Sequence, residues 1–96
     1  MDNFHQVPII QKIYNFYKEL YLAIEKMPKK NKYSLGEKLS KATFDLLELL
    51  IAASFHQKET KIAYLDRANV KLDLLKILIR LAEDIKALPT KKYLYL

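Results

Sequence analysis

The sequence predicts an all-α protein, an up-down helical bundle of the four-helix-bundle type in which the fourth helix is truncated or short. Two observations carry that prediction. Only one glycine and three prolines punctuate the 96 residues, too few for the turns that many short strands would need. Between these breaks, apolar residues recur at three- and four-residue steps over long stretches, the period of a helix that buries one face. A single domain over 1–96 follows, with helices expected at about 8–27, 34–56 and 59–88 and a stub from 90.

The first helix opens at Pro8, a residue suited to a first helical turn. Ile9, Ile13, Phe16, Leu20, Ile24 and Met27 form its stripe, which Ile10, Tyr14, Tyr17 and Tyr21 widen, and Pro28 ends it. The connector "PKKNKYS" leads into "SLGE", where Ser34 and Glu37 have the spacing of a capping box, so a second helix is expected from Ser34. Its residues Leu35, Leu39, Ala42, Leu46, Leu49 and Ala53 alternate four- and three-residue steps, a seam suited to antiparallel packing. After the polar break "FHQKET", a third helix carries one stripe through Leu65, Ala68, Leu72, Leu75, Ile79, Ala82 and Ile85. Leu74, Ile77, Leu78 and Leu81 add a second.

That third element runs back from Pro89 to Lys58, about 30 residues or roughly 45 Å, and outreaches its neighbours. A helix apolar on two faces needs two partners. The hairpin of the first two helices covers one face, whereas the closing "TKKYLYL" is long enough for only a turn or two on the other. Connectors of about five residues suit antiparallel neighbours.

Several classes are excluded or disfavoured by residue type. There are no cysteines, hence no disulfides and no thiol chemistry. No secretory leader and no apolar run of bilayer length is visible, so a soluble cytoplasmic protein with no membrane role is expected. His5 and His56 should share one end of the bundle, without cysteine or carboxylates at a ligand spacing. Asp45 and Glu48 lie three apart but lack the Glu-x-x-His companion of a di-iron bundle. With no glycine-rich phosphate loop and no Ser/His/Asp set, neither a cofactor, a metal nor an enzyme is expected.

The formal net charge is +6, and topology gives it a location. An up-down-up path brings the first connector and the tail to one end, which gathers Lys29, Lys30, Lys32, Lys91 and Lys92 among Tyr33, Tyr93 and Tyr95. Lysines hold phosphates and rings stack on bases, so a nucleic-acid site is one reading. The other is that connectors are lysine-rich for solubility while the tyrosines pack at core edges. Arg67 and Lys71, and again Lys76 and Arg80, lie four apart on the third helix, but Asp66, Asp73, Glu83 and Asp84 intervene. They read either as a solvated face or as a phosphate-binding stripe. Asn69 falls within the apolar stripe and reads as a buried amide that fixes register or oligomeric state.

Three segments, "KYSLGEKLSKATFDLLELLIAASF", "LDRANVKLDLLKILIRLAEDIKAL" and "KKYLYL", resemble the small four-helix-bundle proteins that include the accessory variability determinant (Avd) of diversity-generating retroelements. The wider family takes in proteins encoded in intervening sequences of bacterial 23S rRNA genes, and the resemblance is closer to the Avd branch. It covers nearly the whole chain, and "SLGEKL", "DLLELLIAA" and "LIRLA" are its most specific parts. It implies a homopentameric barrel with a basic surface that associates with the retroelement reverse transcriptase and binds RNA or DNA, the template RNA or its cDNA. The family has no catalytic motif to carry over, so the implied site residues are the distributed cations Lys29, Lys30, Lys32, Arg67, Lys71, Arg80, Lys91 and Lys92. Family members continue through a full fourth helix, so this chain is expected to be truncated or a short member. Its second apolar face would then be bare and prone to self-association. The alternative class is a helical scaffold that binds protein partners and owes its charge to solubility.

Overall fold

The computed structural model describes residues 8–89, which form three long antiparallel helices and one short turn of helix, with no strand among the described residues. They are α1 (Pro8–Glu25), α2 (Lys29–Lys32), α3 (Leu35–Ser54) and α4 (Lys58–Asp84). The expected stub from Thr90 lies outside the described residues. Helix α3 packs against both of the other long helices, along its length against α4 and less extensively against α1, around one shared core. Small buried residues on both partners, Ala42 and Ala53 on α3 and Ala68 and Ala82 on α4, suit a close approach of the two backbones. Helix α1 docks instead through bulk, burying Ile10, Ile13, Phe16, Leu20 and Ile24.

The expected stripes form the core, with corrections at their margins. Leu20, Leu39 and Leu75, one from each long helix, are completely inaccessible and tie the three together. Each such burial is worth roughly 1.5 to 3 kcal/mol. Ile9, however, is 44% exposed and Ile10 takes its place in the core. On α3 the stripe shifts to include Thr43, fully buried, whose hydroxyl donates to the Leu39 carbonyl at 2.8 Å and so leaves no unsatisfied donor. Asn69 does not enter the interior: it lies one residue, about 100° of helix, beyond the buried Ala68, and is exposed. It therefore fixes nothing inside the chain.

Helix boundaries differ from expectation for local reasons. α1 stops at Glu25 rather than Met27, its last amides closing tight three-residue turns (Lys26 to Ala23, 3.1 Å; Met27 to Ile24, 3.0 Å) because the residue before Pro28 is pushed out of helical geometry. The connector then coils once more as α2, whose first amides, Asn31 and Lys32, both reach the Pro28 carbonyl at 2.9 Å. The capping box does not form. Ser34 precedes α3 as expected, but its hydroxyl donates backwards to the Lys30 carbonyl at 2.6 Å and closes α2 instead of accepting from Glu37.

α4 ends at Asp84, four residues short of expectation, in a Schellman turn: Lys86 takes φ +63°, its amide bonds Glu83, and the Ala87 amide reaches back to Ala82 at 2.8 Å. The turn returns Ala87 and Leu88 to the core. Since a side chain in the left-handed region is strained where glycine is not, Lys86→Gly is expected to raise stability by about 0.5 to 1 kcal/mol. A lower midpoint in a urea titration would count against that account of the turn.

At Gly36 the neighbouring α1 leaves no room for a side chain on α3. A β-carbon placed there would stand 2.9 Å from Ile24 Cγ2, a branched and buried position that cannot swing away. No described helix is long and apolar enough to cross a membrane. Finally, the second apolar face of α4 stands uncovered in the single chain: Leu74, Ile77 and Leu81 are exposed and Leu78 half-buried. They are joined by the exposed Val70 and by Ile85, just past the helix end. Ile85 and Leu65 belong to the expected buried stripe, yet both are exposed.

Candidate nucleic-acid interface

Helix α2 determines what the first three lysines can do. A single turn cannot bury a face, so Lys29 and Lys30 project into solvent, with no ion pair among the described residues. Lys32 is different: it bridges Glu25 at 3.5 Å and lies 5.8 Å from the Tyr33 ring centre. Lys91 and Lys92, expected at the same end, lie outside the described residues, as does His5.

On α4 the expected basic set divides. Residues 67 and 71 share a face, whereas residue 80, nine further on, points about 180° away. Arg80 is accordingly occupied with Asp84 at 3.3 Å on another side of the bundle and does not join the other two. Arg67 lies 6.0 Å over the Tyr64 ring and has no ion pair among the described residues. Lys71 reaches across to α3 and bonds Asp45 at 3.2 Å.

The antiparallel register brings two lysines to this surface that the sequence did not single out. Lys38 and Lys41 on α3 line a groove of about 220 Å³ with Lys71, and Asp45 and Lys71 also line a neighbouring groove of about 600 Å³ that contains Arg67. A basic strip of Lys38, Lys41, Lys71 and Arg67 therefore follows the α3/α4 seam. Asp45 sits in its middle, bonded by Lys41 at 3.1 Å as well as by Lys71. Hydrogen bonds from Lys41 and then Lys71 hold its carboxyl below the usual carboxylate range. A depressed carboxylate stabilises the fold above its unfolded pKa, and that contribution is lost as pH falls through the lowered value.

A family model described as bAvd-like matches residues 7–96. The chain belongs to the bAvd-like family. No curated protein and no solved structure gives a significant match.

Within this bAvd-like chain, Asp45 and Glu48 are spoken for by the strip, Asp45 as the partner of two lysines and both as lining of the larger groove. No cluster of three metal-ligating side chains occurs among the described residues. His56 closes α3 at the end opposite α2: its Nδ1 donates to the Ala52 carbonyl at 2.6 Å, and its ring lies 4.8 Å from that of Tyr64 with the planes tilted by 46°. The bAvd-like chain also has a second groove, of about 540 Å³, between α1 and α3, edged by Tyr17, Tyr21, Tyr33 and Phe44. The helical period alone identifies Tyr17 and Tyr21 as stripe-widening residues. What it lacks is the α1/α3 register that sets Phe44 opposite them, at 4.9 Å from Tyr17.

Proposed function

We propose that this protein is a non-catalytic accessory subunit of a diversity-generating retroelement, binding the reverse transcriptase and nucleic acid and assembling as a homo-oligomer, a pentamer by resemblance to Avd proteins. The observation that carries the reading is the bAvd-like match over nearly the entire chain. Lys29 and Lys30 on α2 and the strip from Lys38 to Arg67 supply a physical means, since polyanion affinity comes from cations that displace condensed counterions.

The test is anisotropy binding of a labelled structured RNA at two salt concentrations, comparing the wild type with a variant in which Lys29, Lys30, Lys32, Lys91 and Lys92 are all alanine. The wild type is expected to lose affinity steeply with salt, roughly tenfold or more for a fourfold rise in salt if a few phosphates are neutralised, and the variant to bind weakly throughout. Asp45→Asn, which frees Lys41 and Lys71, is expected to tighten binding several-fold. Absence of wild-type binding at low salt would remove the nucleic-acid role.

A helical scaffold for protein partners is the second reading. It is favoured by the number of cations already held by acids, Lys32, Lys41, Lys71 and Arg80 among them, and by the bare aliphatic face of α4. On that reading the lysine variant and the wild type behave alike toward RNA.

A further inference from the structure

The groove between α1 and α3 differs in kind from the uncovered face of α4. Its exposed apolar lining is aromatic: Phe44 and Tyr21 are each 51% exposed and Tyr33 59%, while Ile24, the one aliphatic residue lining it, is buried. The α4 face, by contrast, exposes only aliphatic side chains. Aliphatic knobs suit a partner helix, whereas flat rings suit flat ligands.

The rings are held rather than loose. Tyr17 is half-buried and its hydroxyl is tied to the Ser40 hydroxyl at 2.9 Å. It meets Phe44 at 4.9 Å with the planes 57° apart and Tyr21 at 6.3 Å with the planes 52° apart. Tilted contacts of this sort use ring edges and leave faces of the outer rings open to a ligand.

Charge around the rings is mixed. The lining holds Lys32 and Lys41 against Glu25, Glu37 and Asp45, with Glu25 bridged by Lys32 and Asp45 by Lys41. Lys29 and Lys30, which precede Lys32 on the same short helix, have no ion pair among the described residues.

We infer that this aromatic groove is a stacking site for unpaired bases, and that the protein prefers single-stranded nucleic acid to duplex. The inference rests on the nucleic-acid reading above and specifies the state of the ligand. A base buried in a duplex stack offers no free face to Phe44, Tyr21 or Tyr33, while an unpaired base does, and Lys29 and Lys30 on the adjoining α2 are the cations left to meet its phosphates.

The test compares a labelled 12-nucleotide RNA with the 12-base-pair duplex formed from it, using wild type and the double variant Tyr21→Leu/Phe44→Leu, which keeps apolar volume and removes the rings. The single strand is expected to bind about tenfold more tightly than the duplex, and the double variant to lose about tenfold or more on the single strand with the salt slope and duplex affinity unchanged. Equal single-strand affinity in a variant whose helical circular dichroism is intact would overturn the inference. So would loss of reverse-transcriptase association with oligonucleotide binding preserved, which would make the groove a protein-docking site. Binding of neither RNA form by the wild type would overturn the nucleic-acid reading itself. Tyr33→Leu, outside the core, keeps the test open if the double variant does not fold.

Discussion

Replacing Leu39 with alanine is expected to remove about 2 to 5 kcal/mol of folding stability. Leu39 is fully inaccessible and sits on α3, the helix that packs against both others. Truncation therefore leaves a void bordered by rigid helices on two sides, and such voids collapse poorly. Since a domain of this size holds only some 5 to 15 kcal/mol in total, much of its margin would go. A urea titration should show the midpoint falling with little change in slope, because the surface exposed on unfolding is nearly the same. Leu22→Ala, at a position 56% exposed, is the matched control and should move the midpoint by less than about 0.5 kcal/mol. Equal effects at the two positions would mean that α3 is not the centre of the core.

The second large effect is expected at the uncovered face of α4. Val70, Leu74, Ile77, Leu81 and Ile85 follow one another at four- and three-residue steps, so their exposed side chains form one continuous stripe. Ile77 is 65% exposed and Leu81 46%, and neither has a core role to lose. Self-association of the wild type through this stripe should appear in light scattering as a mass above that of one 11.3 kDa chain. Ile77→Glu/Leu81→Glu should return the mass to one chain while leaving helix content intact, because two carboxylates placed in an apolar contact cannot be desolvated cheaply. A wild type that already scatters as a monomer at high concentration would rule out this stripe as a self-contact.

The residues that sequence reading placed correctly are those whose environment is set by their own helix. Leu20, Leu39 and Leu75 follow from period alone, and so does the exposure of Ile77 and Leu81 on a second face. What escaped depends on partners distant in sequence or on a backbone state without its usual residue. The end of α4 was invisible because lysine, not glycine, holds the left-handed position at residue 86. Ser34 and Glu37 have the right spacing for a capping box, yet the nearby carbonyl of Lys30 competes for the hydroxyl and wins it. Asn69 lies within a stripe drawn generously, and a difference of one residue puts it outside. The basic strip needed the α3/α4 register to set Lys41 and Lys71 on one carboxylate, whereas Arg80 falls outside it by the phase of its own helix.

At Gly36 the packing of α1 on α3 has a consequence for how this chain tolerates variation. Ala is the stronger helix former by about 1 kcal/mol, but its methyl would press on Ile24, and every larger side chain would have to push α1 away. In a saturation library selected only for folded protein, position 36 should return glycine nearly alone. Its solvent-facing neighbours Glu37 and Lys38 should scatter across many residue types. A second-site change of Ile24 to alanine, which removes the Cγ2 methyl, is the expected route by which alanine re-enters, so the two positions should vary as a pair.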